Sequence, residues 1–141
     1  MSTSDSIFTR IIRGEIPCQR VFESPTVFAF LDINPLAPGH TLVVPKRQVE
    51  RLEQLPENEA ADIARVLGRI ARAILAVTGA PDYNVLQNNG SSAGQVVPHV
   101  HFHIIPRREH DGLGFRWNPK PAGAEELKAL RGRLAAILTA G

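Results

Sequence analysis

Three histidines alternate with apolar residues in the segment His99-Val100-His101-Phe102-His103-Ile104-Ile105. In a β-strand, side chains two residues apart point to the same face of the sheet and lie roughly 6.6 Å apart. The alternation therefore predicts a strand over His99–Ile105 that places three imidazoles on one face. The intervening apolar side chains would point into the core and hold the strand rigid. The alternative is an ordinary polar sheet face in contact with solvent.

Two kinds of chemistry fit three imidazoles on one face. Histidines two apart on a strand can chelate zinc, and His40 could supply a further ligand. A supporting carboxylate is scarce, however, because Glu109 is the nearest one and Cys18 is the chain's one cysteine. The second possibility is nucleophilic catalysis, since a neutral imidazole with a pKa of about 6.5 attacks well near pH 7. Neighbouring histidines could then bind phosphate oxygens or carry a proton.

The loop before the histidines favours the nucleophilic interpretation. Residues 88–95 read Asn-Asn-Gly-Ser-Ser-Ala-Gly-Gln and combine small side chains, backbone N–H groups and side-chain amides. Glycines allow the main chain to approach an anion closely. The loop is not a Walker P-loop, because the Gly-Lys-Ser/Thr ending is missing. We therefore predict an anion-binding loop beside the histidines.

The composition limits the classes of protein to consider. The chain has 141 residues, 43% of them hydrophobic and 21% charged, which fits a single domain over residues 1–141. A net charge of +2 is too small to indicate a nucleic-acid-binding surface. A lone cysteine excludes an intramolecular disulfide and suits a reducing cytoplasm. We expect neither a signal peptide nor a membrane helix, and therefore no membrane partner.

The hydrophobic patterning and the turn residues predict an α+β fold with a five-stranded, mostly antiparallel sheet, one long helix and short flanking helices. We expect the first helix over residues 4–13, with Ser4 or Asp5 as its N-cap. The predicted strands are 21–22, 27–31, 40–44, 83–87 and 99–105, and the later helices are 57–77 and 124–138.

The segment 94–107, Gly-Gln-Val-Val-Pro-His-Val-His-Phe-His-Ile-Ile-Pro-Arg, resembles the signature of the histidine triad (HIT) family, in which three histidines alternate with apolar residues. Three further blocks also resemble the family: Gly14-Glu15-Ile16-Pro17, residues 30–35 (Phe-Leu-Asp-Ile-Asn-Pro), and Pro38-Gly39-His40 with Val44-Pro45-Lys46. The resemblance covers residues 5–117.

The resemblance implies an enzyme that cleaves nucleotides linked through their α-phosphate, such as nucleoside phosphoramidates with a purine, AMP-type nucleotide. By motif position, His101 would attack the phosphorus and form a covalent nucleotidyl-histidine that water then hydrolyses. His99 and His103 would bind phosphate oxygens, orient His101 and assist proton transfer, and His40 would be the fourth catalytic histidine. No cofactor is implied.

The resemblance also assigns the nucleotide-binding residues. Asp32 matches the position that binds the ribose hydroxyls. The phosphate-binding positions are Asn88, Gly94, Gln95, Val96, His101 and His103. The base pocket is matched by Ile7, Phe8, Ile11, Phe30, Leu31 and Ile33, although the same apolar residues could be ordinary core.

Some departures from the family pattern matter. Relatives that hold a structural zinc carry cysteines and a histidine where this chain has Ser6, Thr9 and Gln48, so we predict no metal. Val96 stands where one branch has serine, and it offers only backbone groups to a leaving group. The family further implies a homodimer with a continuous ten-stranded sheet, in which Trp117 could reach the partner subunit's site or pack under its own loop.

Three alternatives stay open at the level of sequence. The same residues could hydrolyse dinucleoside polyphosphates. The chain could instead be a nucleotide-binding regulatory module with weak catalysis, in which case it would bind AMP tightly without turnover. A zinc hydrolase is the last possibility, and chelation would abolish its activity.

Overall fold

A computed structural model describes residues 4–114 and 117–140. The helices are α1 (Ile7–Ile12), α2 (Glu57–Thr78) and α3 (Ala124–Ala140). The strands are β1 (Arg20–Glu23), β2 (Val27–Leu31), β3 (Thr41–Pro45), β4 (Asp82–Gln87) and β5 (Phe102–Arg107). Two short 3₁₀ turns, Leu52–Gln54 and Ser91–Ala93, lie in the connections.

The strands form one sheet in the order β1-β2-β3-β5-β4, and each neighbouring pair in the described residues is antiparallel. The predicted α+β class and the five-stranded antiparallel sheet are therefore confirmed. In the register, His103 of β5 stands opposite Leu42 of β3 and Leu86 of β4. This pairing places the His103 side chain on the same face of the sheet as Leu42.

The two faces of the sheet are covered by different helices. On one face, α2 packs against a core that includes Val43 and Ile104, both fully buried. On the other face, α1 contributes Phe8 to a core that includes Phe30 and Leu42. His103 lies on the α1 face, so α2 stiffens the sheet from behind while α1 forms one side of the histidine site.

The long helix shows how local sequence sets an element. Pro56 serves as the N-cap of α2, and Gly79 ends the helix in a left-handed conformation with φ +70°. Buried residues recur at helical spacing between them: Ile63, Val66, Ile70 and Ile74. The predicted span, residues 57–77, is thus confirmed to within one residue.

Several predicted boundaries were wrong. The first helix begins at Ile7 rather than at residue 4, and its N-cap is Ser6, whose side chain accepts a hydrogen bond from Thr9 N–H. β1 runs from Arg20 to Glu23 rather than over residues 21–22 alone. β5 begins only at Phe102, because the two residues before His101 bond outside the sheet. His99 N–H donates to Val97 O, and Val100 N–H donates to Val49 O.

The final helix, predicted over 124–138 and observed over Ala124–Ala140, has no buried side chain in its described length. Its leucines and isoleucine are exposed: Leu127, Leu130, Leu134, Ile137 and Leu138. Within the part of the chain that the structure describes, this apolar face is therefore largely exposed. None of the described helices combines the length and apolar character needed to cross a membrane.

Candidate active site

The structure brings three of the four histidines into ring contact. The ring of His103 lies 5.0 Å from that of His101 and 5.1 Å from that of His40, measured between centroids. His99 is separate, because its side chain is fully buried behind the site. The predicted alignment of three imidazoles along one strand is therefore wrong: only His103 belongs to β5.

The hydrogen bond of His101 identifies which of its nitrogens can act as a nucleophile. Its Nδ1 lies 2.7 Å from the backbone carbonyl of His99. Since a carbonyl only accepts, Nδ1 carries the proton, and the lone pair of the neutral ring resides on Nε2. Burial lowers the pKa of His101 below its usual 6.5, so the ring is neutral at pH 7. The ring of Phe8, 5.0 Å away, packs edge-on against it.

A second chain of hydrogen bonds orients His40 and His103. The backbone N–H of Leu36 donates to His40 Nδ1 at 3.0 Å, so His40 carries its proton on Nε2. That Nε2 lies 2.9 Å from His103 Nδ1 and donates to it. His103 in turn holds its own proton on Nε2. Burial, together with the neighbouring His101 and His40, lowers the pKa of His103 to about 4.

Asp32 lies next to this chain, just beyond the end of β2. One carboxylate oxygen accepts from Asn34 N–H at 2.8 Å, and the other lies 3.7 Å from His40 Nε2. The second oxygen is far enough from His40 to accept from a ligand hydroxyl. Its negative charge raises the pKa of the nearby histidines, but burial lowers them more.

Asp32, His40 and His103 also form a group whose potential ligand atoms all lie within 4.8 Å of one another. A metal bound to His40 would need the lone pair of Nε2, so the ring proton would have to move to Nδ1. Two N–H donors, that of Nδ1 and that of Leu36, would then face each other. The metal would also break the hydrogen bond to His103. The hydrogen bonds of this group therefore fit a neutral proton-carrying chain better than a metal site.

Hydrogen bonds of Gln95, one of the predicted phosphate-binding residues, hold the glycine-rich loop in shape. The Gln95 side chain is used internally: its oxygen accepts from Gly90 N–H at 2.7 Å, and its nitrogen donates to Glu50 O at 2.7 Å. Gln95 therefore shapes the loop, and a contact between Gln95 and a bound nucleotide stays a prediction. Gly90 and Gly94 have φ values of +92° and +91°, a backbone conformation that glycine adopts without strain. Asn88 is half-buried beside Gly94, and Val96 is 89% exposed.

The six predicted base-pocket residues divide into two groups. Phe8, Ile11 and Phe30 are buried in the α1-face core, and Phe8 also packs against the His101 ring, so their part in a base pocket stays a prediction. The other three have exposed surface that a base could cover: Ile7, Leu31 and Ile33.

A separate cavity lies away from the histidines. A cavity of about 980 Å³ opens on the α2 side of the sheet and is lined by residues such as Phe22, Ile70 and Ile74. None of the histidines lines this cavity, so it is not part of the candidate active site.

Sequence reasoning missed the groups that fix the ring orientations. These are the N–H of Leu36 and the carbonyls of Pro45 and His99, which bond to His40, His99 and His101. Backbone groups leave almost no trace in a sequence. Only the four-residue spacing between Leu36 and His40, in a turn-forming segment, could have suggested the first of them.

The lowered histidine pKa values predict an acid-sensitive fold. A buried neutral histidine takes up a proton more readily when unfolded, so the unfolded state gains stability as pH falls from 6.5 towards the folded value. For His103 the shift from 6.5 to about 4, at about 1.4 kcal/mol per pKa unit, gives an upper bound of about 3.5 kcal/mol. We expect the urea midpoint to fall between pH 6.5 and 5, above the range in which most carboxylates titrate.

The matching variants are His103→Gln and His110→Gln. The first should flatten the pH dependence of the urea midpoint, and the second should leave it unchanged because the His110 side chain is 90% exposed. A wild-type midpoint that stays constant from pH 7.5 to 5 would contradict the prediction.

Comparisons with known proteins agree with the geometry. A family model described as HIT domain matches residues 13–110. A Schizosaccharomyces pombe protein named adenosine 5′-monophosphoramidase is 46% identical over 125 residues, spanning 88% of this chain and 91% of that protein. An Arabidopsis thaliana protein named adenylylsulfatase is 44% identical over 110 residues, spanning 78% of this chain and 56% of that protein.

A solved structure shares the fold over nearly the whole chain. The crystal structure of a histidine triad nucleotide-binding protein from Candida albicans superposes with a TM-score of 0.86 at 38% identity. The superposition covers 96% of this chain and 98% of that one.

Proposed function

This chain is a hydrolase of the HIT, or histidine triad, family, and we propose that it cleaves AMP-type nucleotides at the α-phosphate through a covalent nucleotidyl-histidine. Nucleoside phosphoramidates are the substrate class that we favour. The observation that carries the proposal is the His101 ring, whose Nδ1–H bond to the His99 carbonyl leaves the Nε2 lone pair as nucleophile.

In the first step, His101 Nε2 attacks the α-phosphorus. The new P–N bond forms as the bond to the leaving amine breaks, and the amine takes up a proton from solvent water, which regains one in the second step. The ring is then positively charged, and the Nδ1–H bond to the His99 carbonyl stabilises that charge. In the second step, water attacks phosphorus, the electron pair of the P–N bond returns to Nε2, and a proton is released with AMP.

Neutral hydrogen-bond donors can bear the phosphate charge during both steps. His103 Nε2–H is such a donor, because His40 occupies its other nitrogen. The backbone N–H groups of the glycine-rich loop, next to Asn88 and Gly94, are a second source of donors. The free carboxylate oxygen of Asp32 can accept from the ribose hydroxyls.

The fully buried His99 supports the reaction from behind. Its ring nitrogens bond to Ser6 Oγ at 2.7 Å and to the Pro45 carbonyl at 2.8 Å. Because both ring nitrogens of His99 are bonded to protein groups, we propose that His99 orients His101 and does not itself bind a phosphate oxygen.

A substrate panel tests the proposal. We would compare kcat/KM for an adenosine phosphoramidate, adenosine 5′-phosphosulfate and a diadenosine polyphosphate, each carrying a label on the α-phosphate, and quench the reactions in alkali. A preference for the phosphoramidate, with label attached to protein, is the expected result. A preference for the diadenosine compound would move the assignment to that branch. Tight AMP binding with no turnover of any of the three would indicate a binding module instead.

We also propose that the chain forms a homodimer with a ten-stranded sheet. β4 is an edge strand with exposed apolar side chains, including Val85 and Leu86 at 46% and 45% exposure, so it can pair with a second copy. The exposed apolar face of α3 is a second surface for that copy to cover. Trp117, which is 73% exposed, is the residue we expect to approach the partner's site.

Charged substitutions on α3 test this assembly. We expect the wild-type chain to be a dimer by light scattering at micromolar concentration, and the double variant Leu130→Glu, Leu134→Glu to shift towards monomer, because burying two carboxylates opposes association. The pair Lys128→Ala, Arg131→Ala is the control on the same helix and should remain dimeric. A monomeric wild-type chain would contradict the proposal.

The location, cofactor and partners of the chain are also proposals. We propose a cytoplasmic enzyme without a cofactor, and with neither nucleic acid nor membrane as a partner. The lone Cys18 and the net charge of +2 support this assignment.

A further inference from the structure

A buried polar cluster surrounds the His99 ring on the side away from the candidate site. Ser6 Oγ lies 2.7 Å from His99 Nδ1, and Thr9 N–H donates to that same Ser6 oxygen at 3.0 Å. The Thr9 hydroxyl donates to the side-chain oxygen of Gln48 at 2.5 Å, and Ser6 N–H donates to it at 2.7 Å. The side chains of Ser6 and Thr9 are 6% and 9% exposed, so water does not compete for these bonds.

The donors and acceptors of this cluster select one tautomer of His99. The Pro45 carbonyl can only accept, so His99 Nε2 carries the proton at 2.8 Å from it. His99 Nδ1 is then an acceptor, and the Ser6 hydroxyl is its donor. Thr9 is no competing acceptor of comparable strength, because its oxygen lies farther from Ser6 Oγ, at 3.2 Å.

The same residue supplies the acceptor that orients the nucleophile. The carbonyl of His99 receives the Nδ1–H of His101 at 2.7 Å. The peptide that carries this carbonyl is fixed on its other side by the N–H of Val100, which donates to Val49 O at 2.9 Å. His99 is thus held at its peptide by Val49 and at its ring by Ser6 and Pro45, and both anchors keep the carbonyl in one direction. Loss of the Ser6 bond would let the ring, the carbonyl and the direction of the His101 lone pair change together.

We propose that Ser6 is a positioning residue, which holds the His99 ring and thereby aims His101 Nε2 at the phosphorus. The inference rests on the proposed function, because it assigns Ser6 a part in the same reaction. Ser6 lies at the N-cap of α1 and does not itself touch the substrate. A misplacement of about 1 Å can lower a rate roughly a hundredfold, so removal of its hydroxyl should lower kcat by about ten- to a hundredfold and change KM much less.

Three substitutions separate this role from helix capping. Ser6→Thr keeps both the hydroxyl and the N-cap, and should hold kcat within about threefold of wild type. Ser6→Ala removes both. Ser6→Asp keeps the cap but replaces the donor by an acceptor, so the His99 ring must take up a proton on Nδ1 and reposition against the longer side chain. It should therefore lower kcat although α1 remains capped. Ser24→Ala is the matched control, because Ser24 also accepts a backbone N–H, at 3.0 Å from Val27, but in a turn away from the histidines.

A second measurement does not depend on activity. In spectra of protein labelled with ¹⁵N-histidine, wild-type His99 should carry a proton on Nε2 and none on Nδ1. In Ser6→Asp the carboxylate should draw a proton onto Nδ1, and the His101 Nδ1–H signal should shift with it. Ser6→Thr should leave both histidines as in wild type.

The outcomes distinguish this inference from the proposed function. If wild type hydrolyses its substrate while Ser6→Ala and Ser6→Asp keep its kcat, positioning by Ser6 is refuted and the function stands. If Ser6→Ala does not fold, the capped Ser6→Asp variant decides. If wild type turns over none of the panel, the proposed function fails, and the spectra still decide whether Ser6 sets the His99 tautomer and the His101 hydrogen bond. A proton on Nδ1 in wild-type His99 would overturn the inference.

Discussion

Replacing His101 with alanine is expected to lower kcat/KM by about 10⁴-fold or more, because the substitution removes the atom that forms the bond to phosphorus. Neighbouring groups cannot substitute for it. His103 Nδ1 is occupied by His40, and both nitrogens of His99 bond to protein groups. Labelled nucleotide should therefore fail to attach to the variant protein after an alkaline quench.

The control for this prediction is His110→Ala, since the His110 side chain is 90% exposed and lies beyond β5. It should retain full turnover. In His101→Gly, free imidazole added to the buffer should restore part of the rate, because a small nucleophile can enter the space beside Phe8. Wild-type turnover in His101→Ala, or label attached to that variant, would refute the covalent mechanism.

The elements of this fold could be predicted because their signals are local. Pro56 and Gly79 mark the ends of α2, and apolar spacing marks its buried face. Alternation predicted the strand that carries His103, and pairing with β3 and β4 provides the rest of the sheet. Such signals need only neighbouring residues, and so the fold class followed from the sequence.

The candidate site was less predictable because its geometry depends on distant partners. The hydrogen bond between Ser6 and His99 joins residues 93 positions apart. Alternation alone could not show that Val49, rather than a strand neighbour, receives the N–H of Val100. For the same reason the sequence could not show that the Gln95 amide bonds to Gly90 and Glu50.

His103→Ala is expected to lower kcat by about 10²- to 10³-fold, the effect of losing one well-placed donor to a charged transition state. The Nε2–H of His103 would meet a phosphate oxygen whose negative charge grows as the bond to His101 forms. Because this contact strengthens in the transition state, KM should change less than kcat. The loss should be smaller than that of His101→Ala, since the nucleophile remains.

The variant His103→Asn separates the donor from the hydrogen-bond chain behind it. In His103→Ala, the Nε2–H of His40 loses its hydrogen-bond acceptor. Because His40 is only 3% exposed, water cannot replace that acceptor, and the loss should lower the free energy of unfolding by about 1–3 kcal/mol. An asparagine oxygen can accept from His40 while its nitrogen donates towards the phosphate, so His103→Asn should recover part of both losses. Steady-state kinetics and urea unfolding measure the two effects. If His103→Ala raises KM and leaves kcat unchanged, His103 binds the ground state only, and its assigned part in the chemical step is wrong.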